Sequence, residues 1–246
     1  MKVLSNIETL TLPSPKGEGY TGQVIIFGHR GAPGYPRFGE NTAVSFRKAL
    51  ECSATGLEFD VRRCADGQLV VIHDETIDRT TNGRGRVADL TYDELSKFDA
   101  GFGSPIPRLA DVLDEFGARC LLNIELKETG IAGDVKKLVL ERRLERHVIL
   151  SSFQWQELRG AFPEIPLGLL SSKLADLIST ARQLHATAIH PHKDIVTPSL
   201  IEAARNAKLQ IYVWTVNDLT EISRFRSLGV DGIFTDFPER CSTLVS

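Results

Sequence analysis

The strongest constraint on the fold is an alternation of eight short, mostly apolar runs with stretches of helical periodicity. The runs are Val24–Phe27, Leu57–Val61, Leu121–Glu125, Val148–Ser151, Leu167–Leu169, Ala186–Ile189, Ile211–Trp214 and Gly232–Thr235. Several are β-branched, as parallel strands covered on both faces should be. Between them, Thr42–Glu51, Asp134–Arg143, Pro198–Ala207 and Leu219–Ser227 read as amphipathic helices, with Thr197 placed to cap a first turn begun by Pro198. Parallel strands need crossovers, and eight of them with helical crossovers describe an α/β fold, the (β/α)8 TIM barrel. A doubly wound open sheet is the alternative that strand count leaves open. The length of 246 residues suits a single barrel domain.

One segment breaks the alternation. After Val61 the chain turns at Asp66-Gly67, and Leu69–Ile72 reads as a returning antiparallel strand. Residues 75–107 then form a turn-rich insertion after the second barrel strand, expected to lie over the C-terminal mouth where barrel loops build active sites. Gly83–Gly85 lacks the strand–helix setting of a nucleotide loop and reads as a turn. Ahead of the barrel, Thr11–Gly19 is rich in Pro and Gly, so residues 1–23 read as a flexible N-terminal tail and residues 24–246 as the domain.

The net charge of −3 argues against a general polyanion binder, and nucleic acid is not an expected partner. Cys52, Cys64, Cys120 and Cys241 lack the close spacing of a zinc knuckle or redox motif and read as reduced structural thiols. The first 23 residues lack the basic start and apolar run of a signal peptide, and no stretch approaches the roughly 18 apolar residues of a membrane span. A cytoplasmic protein without stable membrane insertion is the expectation. Monomer and homodimer are both left open.

The chemistry concentrates at strand ends. Glu58 and Asp60 lie two apart on a strand and point to one side. Alone they would read as a salt-bridge cluster with Arg30, Arg62 and Arg63. Glu125 ends another apolar run in the same way, and three carboxylates at one mouth describe a hard oxygen site for Mg²⁺ or Ca²⁺. His29 and His73 are candidates for an acid/base pair beside it. Arg30 and Lys127 add cations suited to phosphate oxygens. One divalent cation with these three carboxylates and two bases leaves a single positive charge, the complement of a phosphodiester. His190 and His192 flank Pro191, with Asp194 as the near carboxylate, and read as structural or pocket-lining; nothing around His147 or His185 suggests chemistry.

The set His29-Arg30-Gly31, Glu40-Asn41-Thr42, Glu58-Phe59-Asp60-Val61, Asp66-Gly67, His73-Asp74, Glu125-Leu126-Lys127 and Val213-Trp214-Thr215-Val216-Asn217 resembles the glycerophosphodiester phosphodiesterases, a TIM-barrel family of metal-dependent enzymes. The resemblance runs from about Val24 to Phe237. It implies Glu58, Asp60 and Glu125 as metal ligands and His29 and His73 as general acid and base. It implies Arg30 and Lys127 on the phosphate, Glu40 and Asn41 on the polar rim, and Trp214 on the glycerol side. The implied reaction is hydrolysis of a small-molecule glycerophosphodiester to glycerol 3-phosphate and an alcohol; the alternative is a lysophospholipase D-like or other phospholipid phosphodiesterase on the same fold. Residues 75–107 match the family's small insertion. Two departures stand out: the longer loop with Tyr35-Pro36-Arg37-Phe38, and Ser53-Ala54-Thr55 where the family often has Gly-Ala-Asp.

Overall fold

A computed structural model describes residues 24–35 and 38–244; the expected tail and Pro36-Arg37 of the longer loop lie outside the described residues. In chain order the elements are β1 (Ile25–His29), α1 (Ala43–Glu51), β2 (Gly56–Arg63), β3 (Leu69–Val71), α2 (Tyr92–Leu95), α3 (Leu109–Phe116), β4 (Leu121–Leu126), α4 (Ala132–Glu141), β5 (Val148–Ser152), β6 (Leu167–Ser171), α5 (Leu177–Gln183), β7 (Ala188–Pro191), α6 (Pro198–Asn206), β8 (Gln210–Val213), α7 (Leu219–Leu228) and β9 (Gly232–Thr235). Eight strands pair in parallel in the order β1-β2-β4-β5-β6-β7-β8-β9, and β9 pairs back to β1 to close the barrel. Closure excludes the open doubly wound sheet. Among the strands of the described residues only β3 is antiparallel, a hairpin partner for the outer end of β2.

Each expected run carries a strand, and the displaced boundaries have both local and distant causes. β7 starts two residues later than the apolar run because His185 adopts a positive φ of 53° and the Ala186 N–H closes the end of α5 on Ala181 O. The preceding helix uses those residues for its own terminus. α4 starts at Ala132, ahead of the expected Asp134, because the Glu157 carboxylate accepts the N–H groups of Gly130, Ile131 and Ala132 at 2.8–2.9 Å. A cap from 25–27 residues away satisfies the orphan donors that a local cap would satisfy. α6 starts at Pro198 as expected, with Thr197 accepting the N–H of Leu200, and α1 starts one residue later than expected because Thr42 is its cap and accepts the N–H of Ser45.

The alternation of side chains divides the core. Leu57, Phe59 and Val61 of β2 face outward into the large cluster shared with the helices, so Glu58 and Asp60 face the barrel interior. Inside, Phe27 stacks on Phe234 with ring centroids 4.9 Å apart and meets Tyr212 edge-on at 5.6 Å. With Ile25, Leu121, Ile149 and Ala188 they plug the barrel below its mouth. Truncating Phe27 to Ala should cost about 3–5 kcal/mol. His190 is fully buried against Tyr212 and Phe234, and its ring fits because Gly168 has no side chain; a Cβ there would lie 2.3 Å from the imidazole.

Residues 75–107 wrap a small core of their own. Ile77, Val87, Leu95, Ala100 and Ile106 pack on Cys64, Val70 and Ile72 of the hairpin. Gly83–Gly85 is irregular loop just after a turn at residues 78–80, with the Gly83 and Gly85 N–H groups held by Thr81 Oγ1 and Asp78 Oδ1. All four cysteines are free thiols. Among the described residues, no helix is long and apolar enough to cross a membrane.

Candidate active site

A cleft opens at the C-terminal ends of the strands, lined by His29, Arg30, Glu58, His73, Asn123, Glu125, Lys127, Phe153, Leu170, Trp214, Thr215 and Phe234. Register brings its charged residues together: His29 pairs with Glu58 across β1 and β2, and Asp60 with Glu125 across β2 and β4. Donor oxygens of Glu58, Asp60 and Glu125 lie within 4.8 Å of one another, all buried.

Three buried carboxylates at this spacing strain their own ionisation. Desolvation and the charge of Asp60 push Glu58 well above the usual carboxylate range, and the same causes raise Glu125. Asp60 is held low: burial opposes ionisation, but Arg30 and Lys127 overcome it. Its Oδ2 accepts from Asn41 Nδ2 at 2.9 Å and lies 3.3 Å from Arg30 Nε, while its Oδ1 is buried with no hydrogen-bond partner. An orphaned oxygen beside two carboxylates that resist ionisation is what a divalent cation would satisfy. The donors are all hard oxygens, so the residues fit such an ion.

The loop after β1 is shaped around this centre. Arg30 takes a positive φ of 54° and directs its N–H to Glu58 Oε2 at 2.9 Å. Its carbonyl accepts the N–H of Asn41, which is also left-handed at φ 58°. Two non-glycine residues in this region cost of order 1–3 kcal/mol each, a strain tolerated where the surroundings over-determine the geometry. Gly31, at φ 93°, lets the chain pass Ser45, whose Oγ would lie 2.4 Å from a Cβ.

Both histidines have a carboxylate on Nδ1, which leaves Nε2 for chemistry. His29 donates to Asp236 Oδ1 at 2.7 Å, and its Nε2 lies 3.9 Å from Glu58 Oε2. His73 donates to Asp74 Oδ1 at 2.6 Å. Burial works against protonating His29, but the Asp236 hydrogen bond and the Glu58 charge outweigh it and raise its pKa. For His73 burial prevails, helped by the charges of Arg30 and Lys127, and the pKa falls despite Asp60 and Asp74.

The remaining expected residues divide into two groups. Lys127 donates to Glu125 Oε1 at 2.6 Å and stands 3.5 Å from Asp60 Oδ1, facing the cleft. Trp214 is on the opposite wall, edge-on to Phe153 at 5.4 Å and to His192 at 4.8 Å. Glu40 and Asn41 stand behind the wall, beside a smaller hollow: Glu40 accepts from Arg30 and Arg79, and Asn41 holds Asp60. His190 has no partner on either ring nitrogen, and burial depresses its pKa to about 3.

Asp236, Arg79 and Asn123 escape a reading of the sequence by segments, and Asn217 stands in a matching segment that assigns it no role. Asp236 is 207 residues from His29 and meets it only because β9 closes against β1. Its signal is placement: a carboxylate just past an apolar run, like Glu125. Asn217 fixes it, donating to Asp236 Oδ2 at 2.6 Å and accepting its N–H at 2.9 Å.

Comparison with known proteins agrees with this geometry. The model of the glycerophosphoryl diester phosphodiesterase family matches residues 29–240. A glycerophosphodiester phosphodiesterase of Caldanaerobacter subterraneus subsp. tengcongensis is 37% identical over 241 residues, covering 91% of this chain and 98% of that one. The structure of a putative glycerophosphoryl diester phosphodiesterase from Silicibacter pomeroyi superposes with a TM-score of 0.83 at 27% identity, over 98% of this chain and 97% of that one. An Oleispira antarctica phosphodiesterase solved with sn-glycerol-3-phosphate gives 0.80 at 25% identity, over 92% and 98%. Fold, carboxylate triad and family match coincide over the same residues, and the chain belongs to the glycerophosphoryl diester phosphodiesterase family.

Proposed function

We propose a division of labour for the hydrolysis of glycerophosphodiesters that this chain carries out, with glycerol 3-phosphate and an alcohol as products. The observation that carries it is the pairing of His29 and His73, each with Nδ1 held by a carboxylate, in one cleft with Glu58 and Glu125. Glu58, Asp60 and Glu125 would hold one divalent cation, Mg²⁺ or Ca²⁺, which when bound polarises a phosphoryl oxygen. Arg30 and Lys127 orient the phosphate through its other oxygens. His29, whose pKa is raised, carries the proton given to the departing alkoxide, and His73, kept neutral, takes the proton of the attacking hydroxyl. Residues 75–107 belong to the same single domain and flank the site on the His73 side, where Thr80, Ala100 and Ile106 border the smaller hollow.

Replacing either histidine should lower the rate on the order of 10²–10⁴-fold. Assay of purified His29→Ala and His73→Ala with glycerophosphocholine tests this, and wild-type activity in either variant would sink the assignment. Exhaustive chelation should abolish turnover, with Mg²⁺ or Ca²⁺ restoring it; persistence after chelation would remove the cation from the proposal.

A second reading rests on the exposed apolar side chains just past the strand ends. Phe153 at the cleft is 46% exposed, Leu174 50% and Leu219 59%. They would suit a diester with an acyl chain, in the manner of a lysophospholipase D. Comparing turnover of glycerophosphocholine with a long-chain lysophosphatidylcholine separates the two.

A further inference from the structure

Asn123 occupies the inward position on β4 two residues before Glu125, paired with Glu58 of β2 on one side and Ile149 of β5 on the other. It is 1% exposed yet lines the cleft, at the level where the triad gives way to the apolar plug. One end of its amide is anchored: Nδ2 donates to the buried Ser151 Oγ at 2.9 Å. The other end, Oδ1, is buried with no partner. The apolar side chains of the cleft are Phe153, Leu170, Trp214 and Phe234, of which Phe234 belongs to the plug and Trp214 packs on it. Trp214 directs its indole N–H away, to His190 O at 2.7 Å.

A buried amide oxygen normally has a donor, because leaving it unpaired forfeits its hydration without return. A phosphodiester oxygen has no proton to give it, and Glu58, its neighbour on β2, has none once it holds the cation, so neither is its partner. An ammonium group would have to be desolvated against the apolar walls. A hydroxyl fits: it is uncharged, it donates to Oδ1, and its carbon skeleton suits the flanking rings. A hydroxyl also satisfies the amide in either orientation, since it both donates and accepts.

We infer that Asn123, steadied by Ser151, is the residue that reads a hydroxyl on the alcohol arm seated deepest in the cleft, and so selects glycerol-bearing phosphodiesters over those whose inner arm is plain alkyl. This rests on the proposed function, because it takes the phosphate to sit at the triad. Asn123 contributes specificity, and Ser151 is a positioning residue acting through it. A site built around a hydrogen bond discriminates strongly against the analogue that lacks the hydroxyl, since its buried polar group is then left unpaired.

The test is calorimetric binding of glycerol 3-phosphate and n-propyl phosphate to the intact protein with Mg²⁺ present, alongside glycerophosphocholine turnover. Wild type should prefer glycerol 3-phosphate by about tenfold or more. In Asn123→Leu the preference should collapse to near unity through loss of glycerol 3-phosphate affinity, with n-propyl phosphate within about threefold of wild type. Should Asn123→Leu not fold, Ser151→Ala decides: freeing the amide should reduce the preference about threefold, and an unchanged ratio overturns the inference. Equal binding of the two phosphates by a wild type that turns over glycerophosphocholine overturns the inference and leaves the proposed function standing. A wild type that fails to hydrolyse glycerophosphocholine removes the underlying reading.

Discussion

The two ends of the cleft present the same side-chain pair, an imidazole with a carboxylate on Nδ1, and bias it in opposite directions. At the β1–β9 seam, Asp236 serves His29 and a neutral amide, Asn217. At the hairpin, Asp74 serves His73 and a cation: Arg79 Nε donates to Asp74 Oδ2 at 2.6 Å and Nη2 to Oδ1 at 3.0 Å. That hydrogen bonding by Arg79 holds the Asp74 carboxyl well below its usual range, with His73 a lesser cause. Arg79 also reaches Glu40, which holds Arg30. Burial is the first cause that keeps His73 neutral and the charges of Arg30 and Lys127 add to it, while Asp74, shared with Arg79, does not offset them. A carboxylate that also pairs with a cation favours the charged imidazole less than one that does not. The pairing by itself does not distinguish acid from base; burial and the surrounding charges do, and the hold of Arg79 on Asp74 works in the same direction.

The seam pair offers the largest effect. Asp236→Asn removes the acceptor that fixes the His29 tautomer and stabilises its charged form. We expect kcat to fall on the order of 10²-fold. The sign of the pH response follows from the two shifts. A base of lowered pKa stops working when protonated below it, and an acid of raised pKa stops when deprotonated above it. The wild-type profile should be a bell whose acid limb belongs to His73 and whose alkaline limb belongs to His29. In Asp236→Asn the alkaline limb should move to lower pH while the acid limb stays. A variant that moves the acid limb instead would reverse the two assignments. Asp74→Asn should be milder, about tenfold, and should move only the acid limb, downward.

These two pairs also mark how far the sequence could be read. Glu58, Asp60 and Glu125 are legible because a strand's period of two puts i and i+2 on one face, and because apolar runs fix where the strands end. His73 is legible because the Asp66-Gly67 turn returns the chain to β2. Asp236 depends on closure of the whole barrel, a contact between the first and last strands that no local pattern carries. Arg79 lies in a turn-rich segment whose few residues of regular structure leave no periodicity from which to place a side chain. The start of α4 is a third case, set by Glu157 from the next connection. What was legible is what local periodicity determines; what was not is set by contacts between distant strand ends and loops.

The smallest effect is at Arg79, and it tests the comparison most directly. Its side chain is 50% exposed and touches no group proposed to meet substrate, so its loss should leave substrate binding nearly unchanged. Its planar fork grips two carboxylates at once, which a lysine ammonium cannot reproduce. Arg79→Gln leaves Asp74 to His73 alone, so the His73 pKa should rise and the acid limb should move to higher pH, while the alkaline limb stays. At its optimum the variant should lose about threefold in kcat, because His73 remains in place with a less rigid carboxylate. Arg79→Lys should recover part of the pH shift by restoring a charge but little of the kcat loss, since the second carboxylate is left unheld. An acid limb that does not move in Arg79→Gln would mean that Asp74 does not transmit the charge of Arg79, and the lowered pKa of His73 would then rest on its burial and on the charges of Arg30 and Lys127.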